Sequence, residues 1–248
     1  MAEERLQNIL SHRGVASRRH AAEMIEAGRV TVDGSVVTEP GMRFDPAAVK
    51  IVVDGRPLAA AEERTRTIIM YKPAGVLSTL SDPFGGETVA DLLRGKVSER
   101  LVPVGRLDKD SEGLMLMSND GALTLALTHP RYEHEKTYIV RAAGKWNEEK
   151  LRVLRGPVEM PDGYVTRPCP VDVVHVGRDN VTTLRFRLRE GRKRQIRYMC
   201  SAAHLVVLSL TRVAVGALRL PDGMRPGEWR DITPQELAKL QKCESVRV

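Results

Sequence analysis

One acid in this chain sits where it could do chemistry. In GRLDKDSEGLMLMSNDG, Gly105 to Gly121, Asp108 stands two places after Arg106 and beside Lys109, at the mouth of a run, GLMLM, that reads as a buried strand. An aspartate after a strand is ordinarily a turn or capping residue. An aspartate among cations is also held ionised, the form that acts as a nucleophile or stabilises positive charge. Residue type alone leaves both readings of Asp108 open. The second concentration of charge is RFRLREGRKRQIR, Arg185 to Arg197, with seven basic residues opposed only by Glu190. Phe186, Leu188 and Ile196 interleave with them in strand-like and then helix-like order, which predicts an ordered, phosphate-facing surface and not a loose charged tail.

Other chemistries find no footing. The sequence has no G-x-x-x-x-G-K-[ST], no G-x-G-x-x-G after a strand, no H-E-x-x-H and no G-x-S-x-G. His12, His20, His129, His134, His175 and His204 are scattered without ligand spacing, and Cys169, Cys200 and Cys243 never form C-x-x-C. The expectation is therefore no metal, no cofactor, and reduced structural thiols. No stretch approaches the roughly 18 apolar residues of a membrane span, and MAEERLQN lacks an apolar signal core, so the expected location is the cytoplasm. The 248 residues carry a net charge of +7. Residues 1–62 hold 8 Lys and Arg against 9 Asp and Glu, so all of the excess lies downstream. A polyanionic partner follows from that balance.

Two domains must position these residues, 1–60 and 67–248, with a linker at 61–66 where AAAEERTR loses all strand pattern. In the first, EERLQNILSHRG sets Leu6, Ile9 and Leu10 at helical spacing up to Gly14. Ser17 caps a second helix, closed by Gly28, and VTVDGSVV turns as a hairpin on Asp33-Gly34. Arg13, Arg18, Arg19 and Arg29 are thereby expected at the helix–helix corner, a local patch on a near-neutral body that orients nucleic acid. In the second domain TIIMYK runs into the turn KPAG, and ALTLALTHP is a short helix stopped at Pro130. EKTYIVRAAG is a strand, VDVVHV and VTTLRFRL pair around GRDN, RKRQIRYMCSAAH is a helix, and LSLTRVAVGALRL is extended. Mixed order of this kind predicts an α+β fold with a mainly antiparallel sheet flanked by helices.

RLQNILSHRGVASRRHAAEMIEAGRVTVDG resembles the S-four (S4) RNA-binding domain over about residues 4–55. KPAG, the seventeen-residue Asp108 motif, Lys136 and Tyr138 in EKTYIV, and EGRKRQIRYM followed by LTRVAVGALRL resemble the successive motifs of the RsuA/RluB family of pseudouridine synthases. With RPGEWRDITPQE they look most like its large-subunit rRNA branch.

That resemblance implies a cofactor-free isomerisation of uridine to pseudouridine in ribosomal RNA or a pre-ribosomal particle, with large-subunit RNA favoured and small-subunit RNA the alternative; the chain is expected to act as a monomer. It implies Asp108 as the catalytic carboxylate, ion-paired with Arg197, and Tyr138 packed on the target uracil. Arg106 fills the gap the base leaves, and Leu210 lines the uracil site. Lys72 and Lys136 are candidate phosphate or scaffold contacts. Lys193, read as one helical turn before Arg197 on the same face, is a further phosphate contact. The rival classes are a non-catalytic ribosome assembly factor and an RNA glycosylase; against the latter, the paired carboxylates of glycoside hydrolysis are missing.

Overall fold

The computed structural model describes residues 3–58 and 65–242; residues 61–64 of the expected linker and Cys243 lie outside them. The chain divides into two compact units, Met1–Arg66 with Ser98–Arg100, and Thr67–Val97 with Leu101–Val248. Among the described residues no helix is long and apolar enough to cross a membrane.

The first unit contains β1 (Glu4–Arg5), α1 (Leu6–His12), α2 (Arg18–Glu26), β2 (Val30–Val32), β3 (Ser35–Val36), β4 (Arg43–Phe44), β5 (Ile51–Val53) and β6 (Arg56–Pro57). Leu6, Ile9 and Leu10 of α1 meet Met24 and Ile25 of α2 over Val30 and Ile51, each removed from water and contributing about 1.5–3 kcal/mol. The first helix starts at Leu6, because Glu4 and Arg5 are extended and pair with Phe44 and Arg43. Ser17 caps α2 by accepting from the His20 amide at 3.1 Å. Asp33 and Gly34 both have positive φ, as a two-residue hairpin turn requires. The strands form a four-stranded sheet in the order β3-β2-β5-β6.

The second unit contains β7 (Thr67–Lys72), β8 (Val102–Val104), β9 (Glu112–Ser118), α3 (Gly121–Thr128), β10 (Lys136–Ala143), α4 (Glu148–Arg155), β11 (Val171–Val176), β12 (Val181–Leu188), α5 (Gln195–Ala202), β13 (Val206–Val215), β14 (Leu218–Arg219), β15 (Trp229–Asp231) and α6 (Pro234–Lys242). A nine-stranded sheet runs β11-β12-β10-β13-β9-β7-β15, with β14 on β13 and β8 on β9. Every pairing is antiparallel except β9 with β13. The GLMLM strand is apolar throughout because it is covered on both faces. Met115 and Met117 join a core with Tyr138, Val140, Phe186 and the inward residues of α4 and α5, while Leu114 and Leu116 join Leu123 and Leu127 of α3 and Leu240 of α6.

Two helices differ from expectation. Helix α4 has no counterpart in the sequence reading, although Asn147 caps it, Glu148 and Glu149 open it, and Arg152 and Arg155 close it. Helix α5 begins only at Gln195, because Arg194 lies in the left-handed region at φ 57°. Lys193 therefore sits in a turn before the helix, and the shared face assigned to it with Arg197 does not exist.

Candidate active site

Asp108 lies half-buried on the loop between β8 and β9, and two sets of interactions hold that loop. From the KPAG side, Lys72 is fully buried and its ammonium donates to the carbonyls of Pro73 at 2.8 Å, Lys109 at 3.2 Å and Ser111 at 2.7 Å. The Gly75 amide donates to the Lys109 carbonyl at 2.8 Å, and the Ser78 hydroxyl both donates to the Leu107 carbonyl and accepts from its amide. From the basic run, Arg197 donates to the Asp110 carbonyl at 3.0 Å and Arg194 approaches the Asp110 carboxylate at 3.3 Å. The loop feeds β9, whose Gly113 crosses the β13 backbone so closely that a Cβ there would stand 2.8 Å from the Arg212 amide nitrogen and nearer still to its carbonyl oxygen. Only glycine, here at φ +104°, admits that approach. The crossing brings the Asp108 loop beside β13, and β13 pairs β10 with Tyr138 opposite Arg212.

A small cavity of about 90 Å³ results, walled by Arg106, Asp108, Ser111, Tyr138, Arg197 and Leu210 among others. Of the residues assigned to catalysis and substrate binding, Asp108, Arg106, Tyr138, Arg197 and Leu210 thus meet from separate parts of the chain. Tyr138 and Leu210 are buried, whereas Arg106 is exposed at the rim. Ser111 Oγ and Arg197 Nε are buried without a hydrogen-bond partner among the described residues. Both atoms belong to residues on the wall of the cavity that Asp108 lines.

The remaining assignments change. Among the described residues Asp108 makes no ion pair within 4 Å, so the expected bond to Arg197 is replaced by the hydrogen bond from Arg197 to the Asp110 carbonyl. The cation that the Asp108 carboxylate influences from inside the fold is Lys72. Burial lowers Lys72 to about 8, the Asp108, Asp110 and Glu112 carboxylates pull it partly back, and Arg212 adds to the fall. Lys72 consequently clamps the loop to the sheet from beneath, shielded from solvent. Lys193 is exposed and borders neither this cavity nor the larger one beside it. Lys136 belongs to that larger cavity, about 670 Å³, which shares Arg106, Tyr138, Gly191 and Arg192 with the first.

Sequence reasoning missed the network around Glu190. Its carboxylate accepts from the Tyr164 hydroxyl and the Gln195 amide, both at 2.6 Å, and from the Arg167 backbone amide at 3.0 Å, while Arg192 lies 3.8 Å over the Tyr164 ring. A single acid inside seven cations was the available signal. The two described cysteines, Cys169 and Cys200, are buried free thiols, pushed up by that burial to about 11 and about 12.

In the first unit Arg18 and Arg19 line a groove of about 520 Å³ with Arg5, Arg43, Gln7 and Asn8. Arg13 and Arg29 are not in it. The Arg13 guanidinium donates to the Pro46 carbonyl at 2.6 Å, and Arg29 makes a two-pronged pair with Asp54 at 2.8 and 2.6 Å. Asp54 arrives from 25 residues away in the chain, beyond the reach of local pattern. Arg5 and Arg43 take their places because β1 and β4 pair.

The model of the S4 domain matches residues 4–49, and that of the RNA pseudouridylate synthases matches residues 66–202. An uncharacterized RNA pseudouridine synthase of Aquifex aeolicus is 36% identical over 100% of this chain and 97% of its own. A ribosomal large subunit pseudouridine synthase B of Bacillus subtilis is 37% identical over 96% of each chain. A crystal structure of a pseudouridylate synthase has a TM-score of 0.67 at 25% identity, covering 95% of this chain and 99% of that one. An S4 unit coupled to a mixed sheet with a lone aspartate in a cation-rimmed cavity is the architecture of an RNA-modifying enzyme. The chain belongs to the RNA pseudouridine synthases, which isomerise uridine to pseudouridine.

Proposed function

We propose that the chain isomerises a specific uridine of large-subunit ribosomal RNA, as a cytoplasmic monomer, with residues 1–60 docking RNA and residues 67–248 performing the chemistry. What carries the proposal is the convergence of Asp108, Tyr138, Arg106, Arg197 and Leu210 on one cavity. Relatives named for the large subunit, at 37% identity over most of their length, support the choice of RNA.

The reaction breaks the N1–C1′ bond, turns the uracil and joins C5 to C1′; the C5 proton leaves and N1 gains one, so nothing external is consumed. Asp108 acts at the sugar carbon and must be ionised to do so. Tyr138 packs on the uracil from β10 and sits where the C5 proton is lost. Arg106, exposed at the rim, occupies the stack from which the nucleotide is flipped. Leu210 supplies the apolar wall. Arg197 holds the Asp108 loop through the Asp110 carbonyl.

The test is pseudouridine mapping across rRNA from cells with and without the protein, together with turnover by purified wild type and Asp108→Asn. A single site is expected to disappear, and the variant is expected to bind RNA within about threefold of wild type while forming no product. No turnover from wild type would favour the assembly-factor reading.

A further inference from the structure

Beside the Asp108 cavity, the larger cavity contains two cations that the protein does not neutralise. Arg212 is 4% exposed, and its Nε donates to the Leu114 carbonyl at 2.8 Å. Lys136 is partly buried and its ammonium donates to the His134 carbonyl at 2.9 Å. Among the described residues neither has a carboxylate within 4 Å. The acids on this cavity are already engaged, Glu133 by the Arg167 guanidinium at 2.6 Å and Glu190 by Tyr164 and Gln195. Burial lowers the Lys136 ammonium, and Arg212 lowers it further by repulsion. Two adjacent desolvated like charges are unfavourable in the free protein, and an anion between them relieves both penalties at once.

We propose that Lys136 and Arg212 form a built anion site that takes an RNA phosphodiester adjacent to the target uridine. The proposal rests on the reading of the Asp108 cavity as the uridine site. The strand geometry carries it further. Lys136 and Tyr138 are alternate residues of β10 and so point to the same face, about 7 Å apart along the strand. Tyr138 and Arg212 are paired across β10 and β13. Lys136 thus neighbours Tyr138 along β10 and Arg212 neighbours it across on β13, where the register shifts between Thr137 and Tyr138, and Tyr138 is shared between the two cavities. A base held on Tyr138 would leave its neighbouring phosphate in the angle between Lys136 and Arg212, both of which line the larger cavity. The cavity is roomy enough for backbone as well as phosphate, at about 670 Å³. Arg106, Arg189 and Arg192 border it and extend the same field outward.

The experiment measures affinity for a large-subunit rRNA transcript against salt, and kcat and KM, for wild type, Lys136→Met, Lys136→Arg and Arg212→Gln. Lys136→Met keeps the unbranched stem and removes the charge together with the hydrogen bond to the His134 carbonyl, so it is expected to fold, and its melting temperature is recorded beside its affinity. It should flatten the slope of log affinity against log salt by about 0.7, the value for one single-strand phosphate, with the effect on KM exceeding that on kcat. Lys136→Arg should restore the slope. Arg212→Gln should behave like Lys136→Met, and if it fails to fold the Lys136 pair decides alone. An unchanged slope in Lys136→Met overturns the proposal. So does binding of inorganic phosphate through Lys136, at matched ionic strength, when RNA affinity is indifferent to the substitution. Absence of pseudouridine from wild type would instead defeat the reading of the Asp108 cavity, and the salt slope would still report on the anion site.

Discussion

Lys72 shows how much of the site rests on a fully buried residue. Its three carbonyl acceptors lie in the turn after β7 and in the Asp108 loop, so one side chain closes that loop against the sheet. Each hydrogen bond from a charged donor contributes about 1.5–3 kcal/mol, though three on one group do not add. We expect Lys72→Met to fold, to lose stability, and to lower kcat at least about tenfold by loosening Asp108, with RNA affinity little changed. The pH dependence has a definite sign. Lys72 releases its proton at about 8 in the folded protein and near the ordinary lysine value of 10.5 when unfolded. Between those values the unfolded chain holds more protons, so this group adds stability as pH rises. The deficit of Lys72→Met in urea unfolding should accordingly grow by about 1–3 kcal/mol from about pH 7 to about pH 9.5. A deficit that shrinks over that range would mean the ammonium is not desolvated.

At the scale of elements, α6 shows a helix start that was written in the sequence and passed over. Thr233-Pro234-Gln235-Glu236 is a capping box with proline at the first helical position. Glu236 accepts from the Thr233 amide at 2.9 Å, and the Thr233 hydroxyl accepts from the Glu236 amide at 3.2 Å. The same carboxylate takes both guanidinium nitrogens of Arg230 at 2.7 and 2.8 Å, which ties α6 to β15 and holds Glu236 down to about 2. A carboxyl lowered this way stabilises the fold above its ordinary value near 4.5 and loses that contribution as pH falls toward 2. Because Arg230 is 38% exposed, solvent screening leaves about 1 kcal/mol for the pair. Glu236→Gln should therefore be less stable than wild type by about 1 kcal/mol at about pH 7 and nearly equal to it at about pH 2.5. Chemical denaturation at the two pH values measures the difference, and a gap that persists in acid would assign the effect to helix capping alone.

For the whole molecule, the proposed function gives RNA docking to the first unit and chemistry to the second, and the two contributions separate experimentally. Arg18 and Arg19 line the N-terminal groove, so changing both to alanine should raise KM and flatten the salt slope by up to about 1 for each phosphate no longer neutralised. Arg29→Ala should leave the slope as it was, because Asp54 already holds that guanidinium. A double variant whose slope matches that of Arg29→Ala and of wild type would show that the groove does not meet RNA.

Local pattern determined much of this protein. Apolar periodicity marked the paired helices of the first unit, the Asp33-Gly34 hairpin and the doubly buried GLMLM strand, because those features depend on neighbours a few residues away. Motif resemblance located Asp108, Tyr138, Arg106 and Leu210, and the structure places all four on one cavity. Only tertiary structure decided what each cation meets. Arg29 meets Asp54, Lys72 turns inward onto three carbonyls, and Arg197 reaches Asp110 across a separation of 87 residues. A long, flexible cationic side chain can point to solvent, substrate or backbone with little change in local energy. Its choice is made by partners that arrive from elsewhere in the chain, and that arrival is a property of the fold, invisible to residue type and spacing.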